Sequence, residues 1–261
     1  MLQMQRLYES RIGRGLGAGI LLVAIWQVLM GKVFEKSRLL FPPPSEIVAE
    51  AVYLIKTGDL FRHILMSLER VSIGFGIGFG VAVLLGVLIG RVRFLSDTLE
   101  PILEVIRPIP PLAWIPISIL WFGIGTSQNV YIIFIASFFT TLVNTVAGVR
   151  SADTHLVWSA LNLGCPNRSV LWRVILPGAL PFILTGARVG LGASWSCLVA
   201  AELVAAASGL GFMIMDARQL LLTERVLVGM LTIGLLGFLM DRGIRFVESK
   251  TVAWFYKGKV T

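Results

Sequence analysis

Between Arg107 and Arg150 the chain carries no Asp, Glu, Lys or Arg. One crossing of a bilayer core takes about 20 apolar residues, so this interval is too long for a single span. The polar turn GTSQN, Gly125 to Asn129, divides it into two. Residues 15–31 and 71–90 are uncharged as well, and two further apolar runs extend from about Pro177 to Val204 and from about Val226 to Met240. The pattern predicts six membrane helices. A chain that is 56% hydrophobic and 15% charged, with mean hydropathy +0.83, cannot coat a water-soluble surface.

The formal charge of +8 belongs to loops rather than to a nucleic-acid face, since no basic run is interleaved with aromatics. With six spans both termini share one side. Fourteen Lys and Arg residues fall on that side and eight on the other, which predicts cytoplasmic termini. The N-terminus has no cleavable signal pattern, so its first apolar run is expected to stay as a helix. In the outer segment, FPPPSEI predicts a polyproline turn with Ser45 capping an amphipathic surface helix. Small residues four apart in the second span, Gly76 with Gly80 and Gly86 with Gly90, predict close helix packing.

Catalytic chemistry is not in evidence. Neither Gly31-Lys32 nor Gly258-Lys259 is followed by Ser or Thr, as a phosphate loop requires. His63 and His155 fall in different compartments, and Cys165 and Cys197 have no metal or redox spacing. An ion-coupled carrier places several ionisable groups at mid-membrane. Here only Arg188 and Glu202 lie within a span, about 21 Å apart along a helix axis.

The segment LNLGCPNRSVLWRVILPGALP, Leu161 to Pro181, is basic and kinked between two apolar spans. Asp153 can cap a short helix in which Leu156, Val157, Ala160 and Leu163 form an apolar stripe. Gly164 and Pro166 end it, and a second helix climbs towards Pro177.

The spacing of this segment resembles the cytoplasmic signature of ATP-binding cassette (ABC) importer permeases: Glu-Ala-Ala, three residues, Gly, nine residues, Ile, any residue, Leu-Pro. Ala160 takes the second alanine, Gly164 the glycine, Val174 the isoleucine and Leu176-Pro177 the end. Trp158 stands where the family has its acid, and Ser159 replaces the first alanine. FPPPSEI, RPIPPLAWIPISILWFGIG and the run from Ile175 to Ile214 are similar to the branch importing taurine, alkanesulfonates, nitrate, bicarbonate or thiamine-pyrimidine precursors. The taurine and sulfonate permeases resemble it most, through WSCLVAAELVAA followed by GLGFMI.

The resemblance implies an all-α type I importer permease, one transmembrane domain over 1–261 with its core at 71–247, in a bacterial inner membrane. It implies a second permease copy, two ATPase chains that hold the ATP and Mg, an external solute-binding protein, and no cofactor on this chain. It makes the 153–177 segment the ATPase-coupling element, carried by Asp153, Trp158, Ser159, Ala160, Gly164, Cys165, Arg168, Val174, Leu176 and Pro177. Spans three and five then line the pathway, with Trp114, Ser118, Arg188, Ser194, Trp195, Ser196 and Glu202 as candidates and Arg188 meeting an anionic head group.

Overall fold

A computed structural model describes residues 18, 20–30 and 40–252. Every regular element among them is helical, as expected. Residues 20–30 are helical, but the rest of the first expected span, 15–31, and the terminal tails lie outside the described residues. The helices that follow are α1 (Pro44–Thr57), α2 (Asp59–Arg91), α3 (Arg93–Ile106), α4 (Ile115–Phe122), α5 (Thr126–Arg150) and α6 (Thr154–Asn162). Then come α7 (Asn167–Ala205), α8 (Leu210–Gln219) and α9 (Thr223–Thr251).

Four helices are long and apolar enough to cross a membrane: α2, α5, α7 and α9. The third expected span is not a straight helix. Its prolines, RPIPP, remove backbone donors and break the chain after α3; a 3₁₀ turn, Pro111–Trp114, then leads into the eight-residue α4. The two arms meet at 84°. The turn also differs from expectation. Gly123 and Gly125 make it, with φ of 72° and 143°, while Thr126 to Asn129 already belong to α5. Ser45 is not the cap of α1. Pro43 is, with Pro44 in the first turn, and the Ser45 hydroxyl instead accepts from Gln27 Nε2 at 3.1 Å.

The chain separates into two compact units. The smaller contains α1 and Met213–Thr232. Within it Arg225 pairs with Glu50 at 2.8 Å, and Gly229 lets the chain approach Ile214. The larger contains His63–Phe212 and the part of α9 from Ile233.

Inside the larger unit, glycines set the helix order. Gly74, Gly78, Gly86 and Gly90 of α2 lie against Ile133, Ser137, Thr145 and Val149 of α5, in rising order on both helices. These two helices therefore run parallel, and the broken α3–α4 span is the return crossing between them. Gly148 of α5 meets Phe182, while Gly186 and Gly190 of α7 meet Asn144 and Thr141, in falling order. So α7 runs antiparallel to α5. The Gly86 and Gly90 pair packs as expected, but Gly76 and Gly80 face open space and Gly74 with Gly78 replaces them.

A side chain at Gly78 must displace Ser137 and α5, whereas one at Gly76 meets nothing within 4 Å. We expect Gly78→Leu to cost about 1–3 kcal/mol and to lower the midpoint of thermal unfolding in detergent. Gly76→Leu should leave it unchanged.

Candidate functional site

The cap of α6 is the one expected. The Asp153 carboxylate accepts from the His155 backbone N–H at 2.8 Å. At the far end Gly164 adopts φ 81°; its N–H donates to the Leu161 carbonyl at 2.9 Å, and the Cys165 N–H donates to Ala160 at 3.0 Å. This paired closure needs a left-handed residue at Gly164. A Cβ there would meet no neighbour, so the requirement lies in the backbone alone. Pro166 then caps α7. Pro177 lies in the first turn of the stretch Leu176–Ala205, where a proline is tolerated. A wide π turn, Leu171–Ile175, precedes that proline, and the Leu176 N–H reaches back to Leu171, so α7 continues without interruption.

The stripe expected on α6 is split between two faces. Val157 and Ala160, with Leu161 and Val174, pack against Val149, Val170, Ile175, Ala179 and Ile183. Leu156, Trp158 and Leu163 point outward, 59%, 62% and 84% exposed, and Trp172 on the π turn is exposed as well. Ser159, Gly164, Cys165 and Arg168 are also exposed, while Leu176 and Pro177 are half-buried. The segment thus has an anchored inner face and an apolar outer one, as a docking surface does.

The expected pathway residues fall into two groups. Ser118, Ser194, Trp195 and Glu202 are buried within the chain itself, so they do not line a surface facing a second copy. Ser118 donates to the Ile115 carbonyl at 2.7 Å, Ser194 to Ile133 at 3.3 Å, and Trp195 Nε1 to Ile233 at 3.1 Å. The Ser194 and Trp195 bonds tie α7 to α5 and α9, while the Ser118 bond stays within α4. Ser196 is exposed, and Trp114 is half-buried over Ile115, Ile132 and Ala201. Arg188 borders a cavity of about 180 Å³ with Trp195, Gly237 and Asp241, but its guanidinium pairs with Glu248 at 3.2 Å. Its charge is therefore already matched within the chain.

Glu202 anchors a network that sequence reading missed. Its carboxylate accepts from Arg70 at 2.7 Å, from Ser67 at 2.9 Å and from the Gly211 N–H at 2.9 Å. Arg70 also donates to the Ser208 carbonyl and hydroxyl at 2.6 and 2.8 Å, and to Thr126 at 3.4 Å. Ser67 accepts from the Leu210 N–H at 2.9 Å. Arg70 and Glu202 are both almost wholly buried. The network joins α2, the start of α5, the end of α7 and the start of α8, at the end remote from α6. The Arg70 side chain reads in the sequence as a flank to an apolar run, and no local pattern links it to Glu202.

These features define a multi-pass helical membrane protein with large exposed apolar side chains on the segment around α6 and no cluster of three or more His, Cys, Asp or Glu placed to hold a metal among the described residues. The chain belongs to the family of binding-protein-dependent transport system inner membrane components, whose model matches residues 82–252. It is a permease subunit of an ABC importer, not an enzyme. The taurine transport system permease protein TauC of Escherichia coli (strain K12) is 38% identical over 90% of this chain and 86% of its own. The nitrate import permease protein NrtB of Synechocystis sp. is 33% identical over 94% and 91%. Among solved structures, a MetNI methionine ABC transporter chain in an inward-facing conformation is similar in fold, with TM-score 0.65, 18% identity, and coverage of 75% of this chain and 97% of that one.

Removing one partner of the buried pair leaves the other charge uncompensated. Arg70→Met or Glu202→Leu alone is expected to cost about 3–5 kcal/mol. The double substitution should recover most of that loss in a double-mutant cycle of denaturant unfolding.

Proposed function

We propose that this chain forms the pathway of an importer for small sulfonates, taurine or an alkanesulfonate, working as a pair with two ATPase chains and an external solute-binding protein. The outward apolar face of α6, whose inner face packs against α7, carries this reading. On it, α6 is the coupling helix, inserted in a groove of the ATPase on the cytoplasmic side. Leu156, Trp158 and Leu163 supply the apolar contact, and Trp158 takes the position of the family's acid by burial rather than by charge. ATP-driven closure of the ATPase pair pushes α6, and α7 carries the movement into the membrane, switching access from inward to outward. The taurine relative and the resemblance of the run from Ile175 to Ile214 support the sulfonate class. The nitrate relative supports a second reading, in which the same device imports nitrate.

Pull-down and uptake test the lever together. The purified chain alone should hydrolyse no ATP, and it should capture its ATPase partner. Gly164→Val forces a branched residue into a left-handed conformation, and solute uptake should fall about tenfold with the chain still inserted in the membrane. Wild-type uptake after deletion of residues 155–165 would rule out the lever.

A further inference from the structure

The break between α3 and α4 lies beside the middle of a membrane helix. Ile109 and Pro111 line a cavity of about 230 Å³ with Ile135, Ala136, Phe139 and Thr140, which surround the midpoint of the 25-residue α5. Trp114, at the end of the 3₁₀ turn, packs on the cluster of Ile115, Ile132 and Ala201. No Asp, Glu, Lys or Arg lies between Arg107 and Arg150. The break therefore sits at the depth of the hydrocarbon that α5 crosses.

Backbone at that depth is under a strict constraint. The Arg107 carbonyl can take neither a 3₁₀ nor an α-helical donor, because Pro110 and Pro111 both lack an N–H. Lipid tails offer no hydrogen bond, so non-helical backbone at this depth persists only inside protein or along a water-filled cavity. Yet Ile109, Pro110, Leu112 and Ala113 are all exposed on this chain. The side chains around the break decide between water and protein. Ile117, Leu120 and Trp121 share one face of α4, with Leu112 before it and Phe122 and Ile124 at its end, all exposed. Apart from the Trp121 indole N–H, none carries a polar side-chain atom for water to meet. Trp121 and Phe122 are braced by Tyr131, with ring centroids 5.9 and 5.3 Å away. Leu84 of α2 and Leu235 of α9 are exposed too, but they stand on unbroken helices that lipid can coat.

We infer that the α4 face is covered by a second copy of this chain, α4 against α4 about a two-fold axis. The cover must be apolar, free of charge and at the same depth, and the face itself meets all three conditions, as a self-complementary contact requires. Its size fits as well. The six side chains leave on the order of 600 Å² uncovered on one copy, and two copies reach the roughly 1,200 Å² at which specific interfaces begin. Aromatic rings already held in place lose little freedom on contact, which suits Trp121 to the centre of the interface. This inference rests on the proposed pairing of two permease copies and says where they meet.

Disulfide cross-linking in membranes of cells carrying the complete importer tests it. In a background of Cys165→Ser and Cys197→Ala, oxidation of Leu120→Cys or Ile124→Cys, at positions 83% and 70% exposed on the single chain, should yield a covalent permease dimer. Leu235→Cys, at a position 59% exposed on α9, should yield none. Trp121→Ala should lower recovery of a second, differently tagged copy from detergent about tenfold, and Leu235→Ala should leave it unchanged. Two copies that co-purify without a cross-link at either α4 position would overturn the face and leave the pairing standing. Cross-linking at Leu235→Cys as strong as at Leu120→Cys, cross-links from α4 to a different protein, or full recovery with Trp121→Ala would do the same. A complete importer that holds a single copy of this chain would overturn both.

Discussion

The structure depends on a charge that cannot be left alone. Glu202 is removed from water near the end of a membrane helix, and a desolvated carboxylate persists there only if each acceptor site is filled. Arg70, Ser67 and the Gly211 N–H fill them, and Arg70 passes its remaining donors to Ser208 and Thr126. One ion pair thereby fixes the relative height of α2, α5 and α7. With that height set, the glycines of α2 fall opposite the side chains of α5. Small residues in lipid gain only from close contact, so a shift of a single turn would forfeit it.

How much the sequence reveals depends on how local the determinant is. Asp153 and Gly164 act on backbone groups two to four residues away, and both are correctly read without coordinates. The all-helical class follows from hydropathy alone. Faces are harder to assign. Gly74, Gly76, Gly78 and Gly80 alternate, so two equivalent four-residue pairs exist, and only Ile133 and Ser137 on another helix decide between them. The same ambiguity divides the α6 stripe, because Val157 and Leu156 differ only in what α7 places beside them. The Arg70–Glu202 and Arg188–Glu248 pairs join residues far apart in sequence, beyond any local pattern. Proline chemistry in RPIPP marks a break, but the angle of the break is set by the helices around it.

Burial and exposure divide the work between the two ends of the larger unit. At the end holding Glu202, polar side chains are spent on one another and the helices are locked. At the α6 end, large apolar side chains remain outside, and the inner contacts of Val157, Ala160 and Leu161 hold the segment without covering Trp158. Under the proposed function, the Glu202 end would hold the helices together while the α6 end meets the ATPase.

The π turn at Leu171–Ile175 has a geometric consequence of its own. Each residue of an ordinary helix advances the chain by about 100° around the axis, and a π turn accommodates one surplus residue. Everything before it is therefore rotated against everything after it by that much. The azimuth at which Trp158 leaves the helix, relative to the glycines at 186 and 190, is encoded by residue count rather than by residue type. Excision of any one residue between 171 and 175 would keep the composition of the arm and aim it at a different quadrant.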